Sequence, residues 1–140
     1  MSSPEAFDAI AARLAEWTST PVVYEDPNHP LPDTPAPFVF VEIFGDTLSQ
    51  ETIGAPQSNQ WIESGTTYLH VMTPSGQGSR GARVIAQSLV ALFRERPAGD
   101  VHVEEMSIGK GQPGADFANY WAMTATLFWY RRDITSIPTP

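Results

Sequence analysis

Cysteine is absent from the 140 residues, so neither disulfides nor thiolate zinc sites are available, and nothing requires an oxidising compartment. Positive charge is scarce as well. Eight Lys and Arg stand against 16 Asp and Glu, a formal charge of -8 with a pI near 4.6. Neutralising phosphates takes clustered Lys and Arg, which argues against a general nucleic-acid binder. No segment approaches the roughly 20 apolar residues that span a bilayer, and the opening Met1-Ser2-Ser3-Pro4-Glu5 lacks the positive region of a signal peptide. A soluble product made and used in the cytoplasm is the expectation, with no membrane partner. The three histidines, His29, His70 and His102, have no paired metal-ligand spacing, so no metal and no cofactor is expected.

The hydrophobic content of 41% over 140 residues suffices for one core without a staple. We read one domain over 1–133 and a loose polar tail over 134–140. Its centre is Trp61 to Arg96. Trp61 to Met72 alternates aromatic, β-branched and polar residues as a half-buried strand does. A glycine-punctuated turn, Pro74 to Gly81, leads into a helix on which Ile85, Leu89, Leu92 and Phe93 share one face.

Upstream, Ser3-Pro4-Glu5 has the cap, first-turn proline and dipole-favoured acid of a helix start, with Phe7, Ile10, Leu14 and Trp17 at helical spacing. Thr18 to Pro21 ends that helix. Pro21 to Glu25 reads as a short edge strand, and the prolines between Asp26 and Phe38 as an extended arm. Phe38 to Phe44 is apolar on both alternating faces, as in a strand covered by helices on one side and a subunit on the other. Asp46 to Asn59 has no amphipathic period and reads as a long loop. Downstream come a strand at Val101 to Ile108, a turn from Gly109 to Asp116, and a closing strand from Phe117 to Arg131. The predicted fold is therefore α+β: an antiparallel or mixed sheet with about two helices on one face, in the order α-β-β-β-α-β-β.

No catalytic constellation emerges. Gly76-Gln77-Gly78-Ser79-Arg80-Gly81 fits the spacing of a dinucleotide-binding turn, so a nucleotide- or small-molecule-binding domain is the alternative of a different class. Against it, the preceding strand is polar and alternating, Thr73-Pro74-Ser75 intervenes, and too little chain follows Ile108 to complete a doubly wound sheet. An anion held at the helix start by Arg80 and Arg83 is a weaker form of the idea. Glu104 and Glu105 point to opposite faces of a strand and cannot act as a pair. The aromatics Trp61, Trp121, Trp129, Tyr120 and Tyr130 suit either core packing or a subunit interface. Charge is also unevenly placed: up to His70 the only cation is Arg13, against ten carboxylates. That asymmetry favours a head-to-tail contact between copies, or simply an acidic soluble surface.

The helix through Phe7-Asp8-Ala9-Ile10-Ala11-Ala12-Arg13-Leu14, the entry Pro35-Ala36-Pro37-Phe38-Val39 into a strand, Gly78-Ser79-Arg80-Gly81-Ala82-Arg83-Val84-Ile85 into a helix, and the closing Thr124-Ala125-Thr126-Leu127-Phe128-Trp129-Tyr130-Arg131 follow one another in an order that spans nearly the whole chain. In that order the sequence resembles the tail terminator proteins of long-tailed phages, in particular those of bacterial gene transfer agents. The resemblance implies a non-enzymatic virion protein, assembled in the bacterial cytoplasm, that forms a hexameric homo-oligomer ring on the head-proximal end of the tail tube. Such a ring stops tube growth, docks the stopper or neck proteins of the head, and lets DNA pass through its lumen without sequence-specific binding. Another neck or tail-tube ring component is the alternative within this class. On this reading Asp46, Thr47, Leu48, Gln50, Glu51 and Ile53 of the long loop, with Lys110, Gln112 and Asp116 of the later turn, are the tube or neck contacts. Trp61, Trp121, Trp129, Tyr130 and Arg131 supply the subunit interface.

Overall fold

The computed structural model describes residues 1–25, 34–109, 111–113 and 119–134. The element order is α1 (Pro4–Leu14), β1 (Val22–Tyr24), β2 (Phe38–Gln50), β3 (Gln60–Pro74), α2 (Arg80–Phe93), β4 (Val101–Ile108), β5 (Gln112–Pro113) and β6 (Tyr120–Ile134). The two-residue β5 falls where the sequence reads as a turn. Most of the proline arm, Lys110, Asp116 and the tail beyond Ile134 lie outside the described residues.

The strands form one sheet in the order β1-β2-β3-β6-β4, with β5 also pairing β6. It is mixed: β1 runs parallel to β2, while β2–β3, β3–β6 and β4–β6 are antiparallel. Since β3 and β4 both oppose β6, the β3-α2-β4 connection is a parallel crossover that passes over β6.

Both helices cover one face. Val39, Val41, Leu69, Val71, Met123, Ala125, Leu127 and Trp129 of the sheet pack against Ala6, Ile10 and Leu14 of α1 and Ala82, Ala86, Leu89 and Phe93 of α2. Burying each large side chain contributes roughly 1.5–3 kcal/mol. Helix α1 starts as its sequence dictates. The Ser3 hydroxyl accepts from the Ala6 amide at 3.1 Å and donates to the Glu63 carboxylate at 2.5 Å, so the cap also ties the helix to β3. On α2 the buried stripe is centred on alanines, with Ile85 and Leu92 only partly buried at its flank. Small side chains let the helix axis approach the sheet, which turns the expected face by part of a turn.

Two expectations about strand ends change. Strand β2 continues through Gln50, so Asp46 to Gln50 are strand rather than loop. These residues are exposed and lack an apolar alternation, and backbone pairing to β3 carries them past an irregularity between Gly45 and Leu48. Strand β6 starts at Tyr120 and runs to Ile134, keeping the expected length but moving towards the C-terminus.

Candidate functional site

The face of the sheet away from the helices carries its own rows of side chains. Cross-strand register places Phe38, Met72 and Ala122 in one row, Phe40, His70 and Thr124 in the next, then Glu42, Tyr68 and Thr126, then Phe44, Thr66 and Phe128, and then Ser64, Tyr130 and His102. The first row is buried with Val23 and Tyr120 in a small second cluster. Further along, Phe44 is 49% and Phe128 38% exposed.

These aromatics are held in place. Phe40 and Tyr68 each stack on His70, and Phe44 meets Tyr68 edge-on at 5.4 Å. The His70 ring is fixed at both nitrogens, with Nε2 2.6 Å from Glu42 Oε1 and Nδ1 2.8 Å from Thr124 Oγ1. His102 stacks on Tyr130, and the Arg132 guanidinium lies 4.9 Å from the Tyr130 ring centre. Rings locked by neighbours lose little freedom on contact, so the patch is prepared for a partner.

The sheet edges invite strand addition less. Beyond β1, the Ile43 amide on the β2 edge donates to the Glu25 carboxylate at 2.6 Å. Strand β4 carries an irregularity between Val103 and Glu105 and exposed carboxylates at Glu104 and Glu105. Side-chain caps, bulges and charges blunt an edge.

From this face the β2–β3 hairpin continues to its tip at 51–59. Asn59 organises the tip: its Oδ1 accepts from Thr52 Oγ1 at 3.3 Å and from the Ala55 amide at 3.2 Å. Ile53 stands out at 90% exposed. The base of the tip is clamped to β6, because Arg132 Nε donates to Glu51 Oε1 at 2.9 Å. That hydrogen bond, helped by Gln60 and the guanidinium charge and opposed by some desolvation, holds the Glu51 carboxyl below the usual carboxylate range.

Of the expected interface residues, Tyr130 lies on the helix-free face, whereas Trp129 is 1% exposed within the core. Its indole Nε1 donates to Thr67 Oγ1 at 3.0 Å. Arg131 is likewise buried, with Nε donating to Asp100 Oδ2 at 2.8 Å and Nη1 3.4 Å from Asp133 and 3.8 Å from Glu63. Burial works against its charge, but Asp100, Asp133 and Glu63 outweigh that and hold its pKa above the ordinary value. Trp121 is half-buried, and its indole packs against the Gly111 backbone. Trp61 lines a cleft beside the hairpin root. Alternation along β6 explains the split, since Trp129 and Arg131 share the helix face and Tyr130 does not. Of the later-turn residues, Gln112 pairs with Ala122.

Sequence reasoning missed Phe44 and Phe128. The signal was available in the double-sided apolar pattern of Phe38 to Phe44, but the row joining Phe44 to Phe128 through Thr66 exists only once three strands are in register.

The glycine turn does not build a nucleotide site. Gly76 and Gly78 adopt positive φ in an exposed connection. Ser79 makes no side-chain cap bond. Both neighbours of β3 are antiparallel to it, so the crevice beside a parallel neighbour is missing. Among the described residues no group of three His, Asp or Glu could hold a metal ion, and no helix is long and apolar enough to cross a membrane.

A family model described as phage tail terminator protein matches residues 5–129. No curated protein matches the chain. One solved structure, whose name carries no functional description, aligns with 95% of this chain and 98% of its own at 23% identity and a TM-score of 0.55. At that identity the likeness shows a shared fold.

Proposed function

The chain belongs to the phage tail terminator protein family, and on that premise we propose that it closes into a ring, with six copies as the expected number, at the head-proximal end of a phage or gene transfer agent tail tube. The family is a structural one of the virion tail, and contacts with tail and head proteins come with that role. In the proposed assembly the ring stops tube polymerisation and presents a docking surface to the stopper or neck proteins of the head. DNA passes through its lumen, where the net charge of -8 keeps phosphates from adhering.

The observation that carries the ring is the helix-free face. One face of the sheet is closed by α1 and α2, while the other leaves Phe44 and Phe128 exposed beside fixed rings. A neighbouring subunit covers that face, meeting it through side chains because the edges are blunted. Tyr130 joins that contact; Trp61, on the opposite face of β3, contributes from the cleft at the hairpin root, while Trp121, Trp129 and Arg131 act from within by holding the strands that present the open face. Asp46, Thr47, Leu48, Gln50, Glu51 and Ile53 extend along the hairpin to a tip that reaches tube or neck. Lys110, Gln112 and Asp116 belong to the second proposed contact loop.

Light scattering after gel filtration, with negative-stain images of the same peak, tests this reading. Closed rings, formed alone or on the ends of cognate tail tubes, are expected. A monomer that ignores the tube overturns it.

A further inference from the structure

A cleft of about 350 Å³ opens beside the hairpin root, with Leu48, Trp61 and Ile134 among its apolar walls and Glu63, Arg131 and Asp133 on its polar side. Glu63 is 2% exposed. Its Oε1 holds the Ser3 hydroxyl, but its Oε2 is buried without a hydrogen-bond partner among the described residues. A buried carboxylate oxygen left unpaired costs free energy that a donor would recover. Arg131 does not fill that need, because its nearer partners are Asp100 and Asp133. The Met1 ammonium is taken by the carbonyls of Thr47 and Ser64. Three carboxylates, Glu63, Asp100 and Asp133, therefore outnumber the Arg131 guanidinium and that ammonium by one. The cleft suits a cationic side chain on an apolar stem.

The same chain carries the complement at its other pole. Helix α2 begins where β3 ends, at the opposite end of that strand from the hairpin. At its start Arg80 and Arg83, one helical turn apart, border a shallow recess with Val84, Gln87 and Ile108. Neither arginine has an ion pair among the described residues, although acids outnumber bases two to one in the sequence. Val84 is 46% exposed beside them, matching Leu48 at 45% on the cleft.

We propose that Arg80 and Arg83 of one copy enter the Leu48–Trp61–Glu63 cleft of the next, with Val84 packing on Leu48, as a head-to-tail contact of the ring. The two patches differ, so the contact is heterologous and repeats from copy to copy until the ring closes. Opposite charges fix its direction, and like poles repel. This inference rests on the ring reading and adds to the helix-free face a second, polar contact.

Because the protein has no cysteine, the variant L48C/V84C tests it directly with a short bis-maleimide, since both positions are at the surface. Assembled on tail-tube ends, the double variant is expected to give a ladder from dimer to closed ring on denaturing gels, and each single variant none. Mixing L48C with V84C copies gives dimers only. In the R80E/R83E background the ladder disappears. Rings seen by negative stain without a ladder, or a ladder unchanged by R80E/R83E, overturn this contact and leave the ring reading standing. Absence of rings under every condition removes both.

Discussion

Gly65 sits in β3 directly under the Trp129 indole, and a Cβ there would overlap that ring and the Phe44 carbonyl. The largest buried side chain of the core thus lies flat because its neighbour has none. Gly65→Ala is expected to cost about 1–3 kcal/mol by overpacking, measured by denaturant unfolding. It should also loosen Phe44 on the opposite face, seen as slower ring assembly than the stability loss alone explains. A second residue-level test concerns charge. Glu51 is held ionised chiefly by its hydrogen bond from Arg132, so its folded pKa is depressed. Whatever this pair adds to stability is present above the usual carboxylate pKa and is lost as pH falls through the lower folded value. An NMR titration should place Glu51 below ordinary carboxylates, and Arg132→Met should return it to them.

Helix α2 shows how far patterning reaches. Leu89 and Phe93 were legible as core from their spacing, whereas Ala82 and Ala86 were not, because alanine is equally at home on either face of a helix. Leu89→Ala should cost about 2–5 kcal/mol, while the exposed Val84→Ala should stay within about 0.5 kcal/mol. Thermal or denaturant melts of the two variants check the assigned face. The hairpin is the reverse case. Its distal half looks like a loop in sequence, since neither face there is buried, yet pairing extends it to Gln50 and Trp61. In the tip beyond, the Asn59 side chain joins Thr52 to Ala55 alongside backbone bonds between Glu51, Thr52 and Gln60 and between Ser58 and Ala55. Asn59→Ala should therefore raise amide exchange across 52–60 without lowering global stability by more than about 1–3 kcal/mol. Unchanged exchange in that variant would mean the tip is ordered by something other than this side chain.

For the molecule as a whole, the two proposed contact regions rest on a two-layer fold that leaves one face open: that face itself, and the charged poles at the ends of the long strands. Phe44→Ser with Phe128→Ser should leave a folded monomer whose melting transition falls only by the loss of these half-exposed rings' contacts, and should abolish rings in light scattering. A folded double variant that still forms rings would remove the face from the interface. At this scale the candidate site was only partly legible. Tyr130 and the hairpin residues follow from the strand-rich, aromatic C-terminal run and the unpatterned stretch after Phe44. The inward placement of Trp129 and Arg131 does not, because alternation gives two faces without saying which one the helices take.

Element order, the helix start at Ser3 and Pro4, the absence of thiol chemistry and the acidic balance could be read without a structure, since they depend on local backbone preferences and composition. Which face stayed open, that Phe44 and Phe128 share a row, and that a buried carboxylate meets apolar walls at the hairpin root came from three-dimensional packing. Those features arise from register between strands distant in the chain and from the side on which α1 and α2 settle. Long-range pairing sets them, and no stretch of sequence contains both partners.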